Sequence, residues 1–108
     1  MKTGDIVLIP FPFSELTNVK VRPALVVTET KDKYKDLVLC AISSQVPSQL
    51  SLNEILLTPD ANNQLKVPSV LKVDRIFTLK TEKVIAILGG LSRSEIISFR
   101  IIFKSLVD

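Results

Sequence analysis

Val21-Arg22-Pro23-Ala24-Leu25-Val26-Val27 sets a guanidinium at the mouth of an apolar run with no polar alternation. Proline holds its own φ at about −65° and drives the residue before it into extended geometry, so Arg22 enters this run as strand, not helix. Proline is tolerated in a sheet chiefly at a strand's first position, which suits Pro23, and Ala-Leu-Val-Val behind it reads as a strand buried on both faces. Arg22 is therefore expected at the rim of a rigid core. There it serves either as an anion holder or as a plain surface arginine ending a strand.

Upstream, Gly4-Asp5 opens a first strand, Ile6 to Ile9, and Pro10-Phe11-Pro12-Phe13 stiffens its exit. Extended geometry puts Phe11 and Phe13 on one side of the chain, for packing or for stacking on nucleobases. The polar stretch Ser14 to Lys20 reads as a loop leading back to Arg22, which brings the Glu15 carboxylate and Lys20 near it.

Downstream, Thr30 to Asp36 is a solvated turn. Leu37 to Ile42 is a strand ending in Ser43-Ser44-Gln45, so hydroxyl and amide groups emerge where an apolar strand leaves the core. A short strand follows at Glu54 to Leu57. Thr58 to Asn63 carries turn chemistry, read as a single helical turn with Pro59 in its first positions. The sheet resumes at Ser69 to Asp74, bends at Asp74-Arg75 and continues through Leu79; Lys72 and Arg75 on it are phosphate-tracking candidates or solvated charges. Val84 to Ile87 is the last strand, ended by Gly89-Gly90.

Ser92-Arg93-Ser94-Glu95 matches a capping box and starts a helix predicted to run to about Leu106. At helical spacing Ile96, Phe99, Ile102, Phe103 and Leu106 cover one broad face. Ile97 and Ile101 fall outside it, either meeting a second subunit or standing as ordinary exposed apolar residues.

A chain of 108 residues has room for one domain, residues 1–108, with one core. Short strands with short connections and one terminal helix predict a mainly β fold: a small, mostly antiparallel SH3-like barrel carrying a C-terminal α-helix. The net charge of +3 favours an acidic partner only mildly. With no histidine, a Ser-His-Asp triad, a histidine acid–base pair and a histidine metal site are all excluded. Three glycines build neither a P-loop nor a dinucleotide fingerprint. The one cysteine, Cys40, lies inside an apolar run and reads as a small core residue rather than a reactive thiol. No apolar run is long enough to span a membrane and prolines interrupt any leader, so a cytoplasmic location with no membrane contact is expected.

Taken in order, Gly4-Asp5-Ile6-Val7, Val21 to Val27, Ala41-Ile42-Ser43-Ser44-Gln45 and Asp74-Arg75-Ile76-Phe77-Thr78-Leu79 resemble the MazF/PemK family of ribonuclease toxins over essentially the whole chain. The resemblance implies a homodimer that cleaves single-stranded RNA without metal or cofactor, leaving a 2′,3′-cyclic phosphate and a 5′-hydroxyl, and that a cognate antitoxin protein restrains. The family's arginine before proline matches Arg22. Its hydroxyl residue after Ala-Ile, most often threonine, matches Ser43, which keeps the hydroxyl and loses a methyl and some rotamer restriction. Phe11, Phe13, Glu15, Lys20, Ser44, Gln45, Lys72 and Arg75 are then the expected RNA contacts. The segment before Arg22 departs from the family in lacking its common glycines. Two readings of other classes stay open: a non-enzymatic gyrase poison on the same barrel, and an SH3-like interaction module that has lost catalysis.

Overall fold

The computed structural model describes residues 1–10 and 20–108. Phe11, Phe13 and Glu15 lie outside them. The elements run β1 (Asp5–Pro10), β2 (Val21–Glu29), β3 (Asp36–Ser43), β4 (Glu54–Leu57), β5 (Ser69–Lys80), a 3-10 turn (Thr81–Lys83), β6 (Ala86–Gly90) and α1 (Arg93–Ser105). All strand pairs are antiparallel, in the order β4-β5-β3-β2-β1-β6, and the sheet curls as a half-barrel with the helix against it. No helix among the described residues is long and apolar enough to cross a membrane.

Alternation along the strands sorts the core into two layers. Ile6, Leu25, Cys40, Leu71, Val73 and Phe99 belong to one, and the helix closes it with Ile96, Ile102, Phe103 and Leu106. Val7, Ile9, Ala24, Val26, Leu37 and Leu39 form the other. The helical face read from spacing is thus the packed one, while Ile97 and Ile101 stay 55% and 66% exposed. The capping box is complete: Ser92 Oγ accepts from Glu95 N, and Glu95 Oε1 accepts from Ser92 N at 2.8 Å. Ser92→Ala is expected to destabilise the fold by about 1 kcal/mol, measured by urea unfolding, with no change in slope.

Three sequence expectations are revised. The last strand starts at Ala86, later than Val84, and Gly89 and Gly90 end it from within, as its final two residues opposite Ile6 and Asp5. The turn before β5 begins at Asp60, not Pro59: Asp60 Oδ1 accepts from the N–H groups of Asn62 and Asn63, and Gln64 N donates to Asp60 O. The expected bend at Asp74-Arg75 is a bulge within one strand. The β3 ladder jumps from Cys40–Ile76 to Ala41–Lys72, so Val73, Asp74 and Arg75 have no pair on β3.

Among the described residues β4 and β6 are the outermost strands of the sheet, and the Asn62–Asn63 turn, which follows β4, reaches β6. Gly90 N donates to Asn62 O at 3.0 Å. Asn63 is fully buried; its Oδ1 accepts from Asp60 N and Leu65 N while its Nδ2 donates to Thr58 O. A buried amide satisfied by three backbone partners fixes this turn, and the turn covers an edge that would otherwise be unpaired.

Candidate active site

Pro23 is the third residue of β2, not the first, and its missing N–H limits how the strand pairs. The ladder with β1 runs through Leu8–Pro23 and Ile9–Arg22 to Pro10–Val21, but the ladder with β3 begins only at Ala24 opposite Ala41. Without an N–H, Pro23 removes one donor from the ladder. The mouths of β2 and β3 are therefore unlaced beyond Ala24, and the functional candidates sit there.

Carried two residues past Ala24–Ala41, the register sets Arg22 against Ser43. Alternation gives both the face of Ala24 and Ala41, two of the smallest side chains, so the floor beside them is shallow. Both residues are half-buried. Ser43 ends β3, and its Oγ accepts a hydrogen bond from Gln45 N at 3.1 Å. That bond pins the oxygen and leaves the hydroxyl proton as a donor, which offsets the rotamer freedom serine has over threonine.

A cavity of about 350 Å³ opens on the other face of these strands, the face of Pro23 and Ile42. Arg22, Pro23, Ile42 and Ser44 line one side; Gln64, Lys66 and Val67 line the other. Arg22 reaches its rim, while Ser43, on the Ala24–Ala41 face, is not part of its lining. Sequence reasoning passed over Gln64, Lys66 and Val67. The available signal was Asn62-Asn63, a pair that favours tight turns, followed by Gln64 in left-handed geometry at φ 58°.

The other candidates are spread more widely. Ser44, Gln45 and Lys20 are exposed next to these strand mouths. Lys72 stands opposite Ala41, on the same face as Ser43, with its ammonium 3.3 Å from Glu54. Arg75 is exposed in the bulge, roughly 8 Å further along β3. Among the described residues no group of three acidic or cysteine side chains is arranged to hold a metal. Cys40 is fully buried, its Sγ donating to Val73 O, and burial followed by the Asp74 charge pushes its thiol up to about 12. It belongs to the core, as its sequence context suggests.

Glu54 is held below the ordinary carboxylate value of 4.5, first by the backbone N–H of Ser51 at 2.8 Å and then by Lys72, with burial acting the other way. A carboxylate lowered by folding stabilises the protein above its unfolded value, and that contribution disappears as pH falls through the folded one. Glu54→Gln should therefore lower the thermal midpoint at pH 7. The gap to wild type should close as melts are repeated from pH 5 down to pH 2.

A search of curated proteins finds no match to this sequence. Solved structures share the fold at low identity. The Mycobacterium tuberculosis toxin MazF-mt6 superposes with a TM-score of 0.74 at 20% identity, covering 96% of each chain. MazF from Deinococcus radiodurans gives 0.69 at 20%, covering 99% of this chain and 96% of that one. An endoribonuclease from a mycobacterial species, solved with its cognate antitoxin, gives 0.75 at 12%, covering 99% and 94%. The model of the PemK-like, MazF-like toxins of type II toxin–antitoxin systems matches residues 2–104, nearly the full length, and the chain belongs to that family.

Proposed function

We propose that this protein is a sequence-selective endoribonuclease toxin that cuts single-stranded mRNA in the cytoplasm and so halts translation and growth. The observation that carries this reading is the pairing by register of Arg22 and Ser43 at the unlaced strand mouths. The ribose 2′-hydroxyl attacks the adjacent phosphorus, its proton leaves, and the 5′-oxygen departs protonated, giving a 2′,3′-cyclic phosphate and a 5′-hydroxyl. Charge grows on the phosphoryl oxygens as the new bond forms. Arg22 meets it with a planar fork that stays charged, and the Ser43 hydroxyl donates to the same oxygens. The chain itself supplies the charge stabilisation, and no metal enters the step.

The exposed Ile97 and Ile101 on α1 fit a second copy of the chain, giving a homodimer. A cognate antitoxin is the expected restraining partner, as in the mycobacterial complex and in the MazE–MazF complex of Deinococcus radiodurans. The test is incubation of purified protein with mixed single-stranded RNA in EDTA and analysis of the new ends. Cyclic phosphates that vanish in Arg22→Ala support the reading. Intact RNA, or growth arrest that survives Arg22→Ala, points to a gyrase poison or a non-catalytic module.

A further inference from the structure

Glu54 is held more firmly than a surface ion pair requires. Its Oε1 accepts from Ser51 N at 2.8 Å, and Ser51 O in turn accepts from Glu54 N, so the turn before β4 locks the carboxylate. Asn53 ties that turn to the β5 bulge: its carbonyl accepts from Val73 N at 2.9 Å, and its Nδ2 donates to Asp74. The remaining carboxylate oxygen, Oε2, holds the Lys72 ammonium at 3.3 Å. The Glu54 side chain is 12% exposed and that of Lys72 29%, whereas an ordinary surface pair stands in solvent and contributes little.

The bulge decides where that ammonium stands. A regular ladder continued from Cys40–Ile76 would put Arg75 opposite Ala41 and bring Asp74 opposite buried Ile42. The bulge of Val73, Asp74 and Arg75 instead sets Lys72 opposite Ala41, two residues from Ser43 and on its face. Diagonal neighbours on paired strands lie about 7–8 Å apart, within the reach of a lysine. Among the described residues Glu54 engages one of the ammonium donors of Lys72, and the others are open to an anion beside Ser43.

Resting on the ribonuclease reading, we propose that Lys72 binds the RNA phosphate next to the cleaved one, and that Glu54 is its positioning residue. An ammonium is a point charge that grips a phosphate without reading a base. The small Ala41 side chain between Ser43 and Lys72 lets the sugar–phosphate chain lie close to the sheet. A free lysine loses much rotamer freedom when it binds, and Glu54 removes that freedom beforehand. The contact is made in the ground state and the transition state alike, so it lowers KM and leaves kcat unchanged.

The experiment measures kcat and KM across a salt series, on an RNA that wild type cuts at one site, for wild type, Lys72→Gln, Lys72→Arg and Glu54→Asp, each well below its melting midpoint. Glutamine can still donate to Glu54. Aspartate keeps the charge but is one methylene too short to reach Ser51 N and Lys72 together. Lys72→Gln is expected to raise KM about tenfold, the scale of one charge-assisted hydrogen bond, with kcat near wild type. It should also flatten the dependence of log KM on log salt by about 0.7, the release of one phosphate's counterions. Lys72→Arg should keep the wild-type slope. Glu54→Asp should raise KM about threefold with kcat and slope unchanged, a split that a role in stability alone would not give. Wild type that cuts while Lys72→Gln keeps its KM and slope overturns the phosphate contact and leaves the pair as a brace between β4 and β5. A wild-type KM in Glu54→Asp overturns the positioning role. Wild type that leaves every RNA intact overturns the cleavage reading, and this contact with it.

Discussion

Replacing Arg22 by lysine is expected to lower kcat/KM for RNA cleavage about 100-fold, although the positive charge is kept. A preorganised donor aimed at a developing oxyanion contributes on the order of 3 kcal/mol to the transition state, and each factor of ten in rate is about 1.4 kcal/mol. Lysine keeps a point charge but loses the fork that holds two phosphoryl oxygens at once. It also keeps β2 intact, since the extended backbone at position 22 is set by Pro23 and by the pairing with Ile9. Arg22→Ala should fall further, while both variants melt close to wild type. The pH profile adds an independent readout. A guanidinium acts by its fixed charge, so the wild-type rate should rise smoothly with pH across the alkaline range. A wild-type inflection that is absent from the residual activity of Arg22→Ala would instead give Arg22 a proton to carry.

Gly89→Ala is expected to be the most damaging small substitution in the described structure. A Cβ at position 89 would lie 2.0 Å from the Asn62 carbonyl oxygen and 3.0 Å from two further backbone atoms of the same turn. Backbone cannot rotate away as the end of a long side chain can. Relief therefore requires the Asn62–Asn63 turn to lift from β6, which breaks the Gly90–Asn62 hydrogen bond and uncovers buried Asn63 and Leu65. Overpacking alone costs up to about 3 kcal/mol, and exposing the satisfied amide network adds to it. Against a typical total of about 5–15 kcal/mol, a loss of about 4 kcal/mol or more is expected by urea unfolding. Gly90→Ala makes a suitable control. Its Cβ would approach the Gly4 carbonyl at 3.3 Å, and the loss should be much smaller. Equal stability of Gly89→Ala and wild type would mean that the turn does not close the half-barrel.

The two substitutions probe features of different legibility. Arg22 could be found from its neighbour: proline restricts the residue before it whatever the rest of the chain does, and that constraint is local. Gly89 read as a strand terminator because glycine often ends strands. Its pairing with Ile6 places it inside β6, and what requires glycine there is the carbonyl oxygen of Asn62, which no local pattern announces.

Ser43 lies between these cases. Its position at the end of an apolar run was visible, and its likeness to the family's hydroxyl position suggested a use. Its placement opposite Arg22 depends on the β2–β3 register, and a one-residue slip would turn either side chain to the other face. Lys72 was visible as a charge, but Glu54 at 3.3 Å, which the ladder brings opposite, was not.

The sequence by itself determined what short-range physics determines. The extended entry at Arg22-Pro23, the capping box at Ser92 and Glu95, the buried helical face through Phe99 and the mainly antiparallel sheet all follow from dihedral restriction, local hydrogen bonds and periodicity. Only the tertiary structure decided the bulge at Val73 to Arg75, the closure of β6 by the Asn62–Asn63 turn, and the register that sets Ser43 against Arg22. Those features come from backbone and side chains far apart in the chain meeting at close range, and pairing register and steric fit are properties of the folded whole.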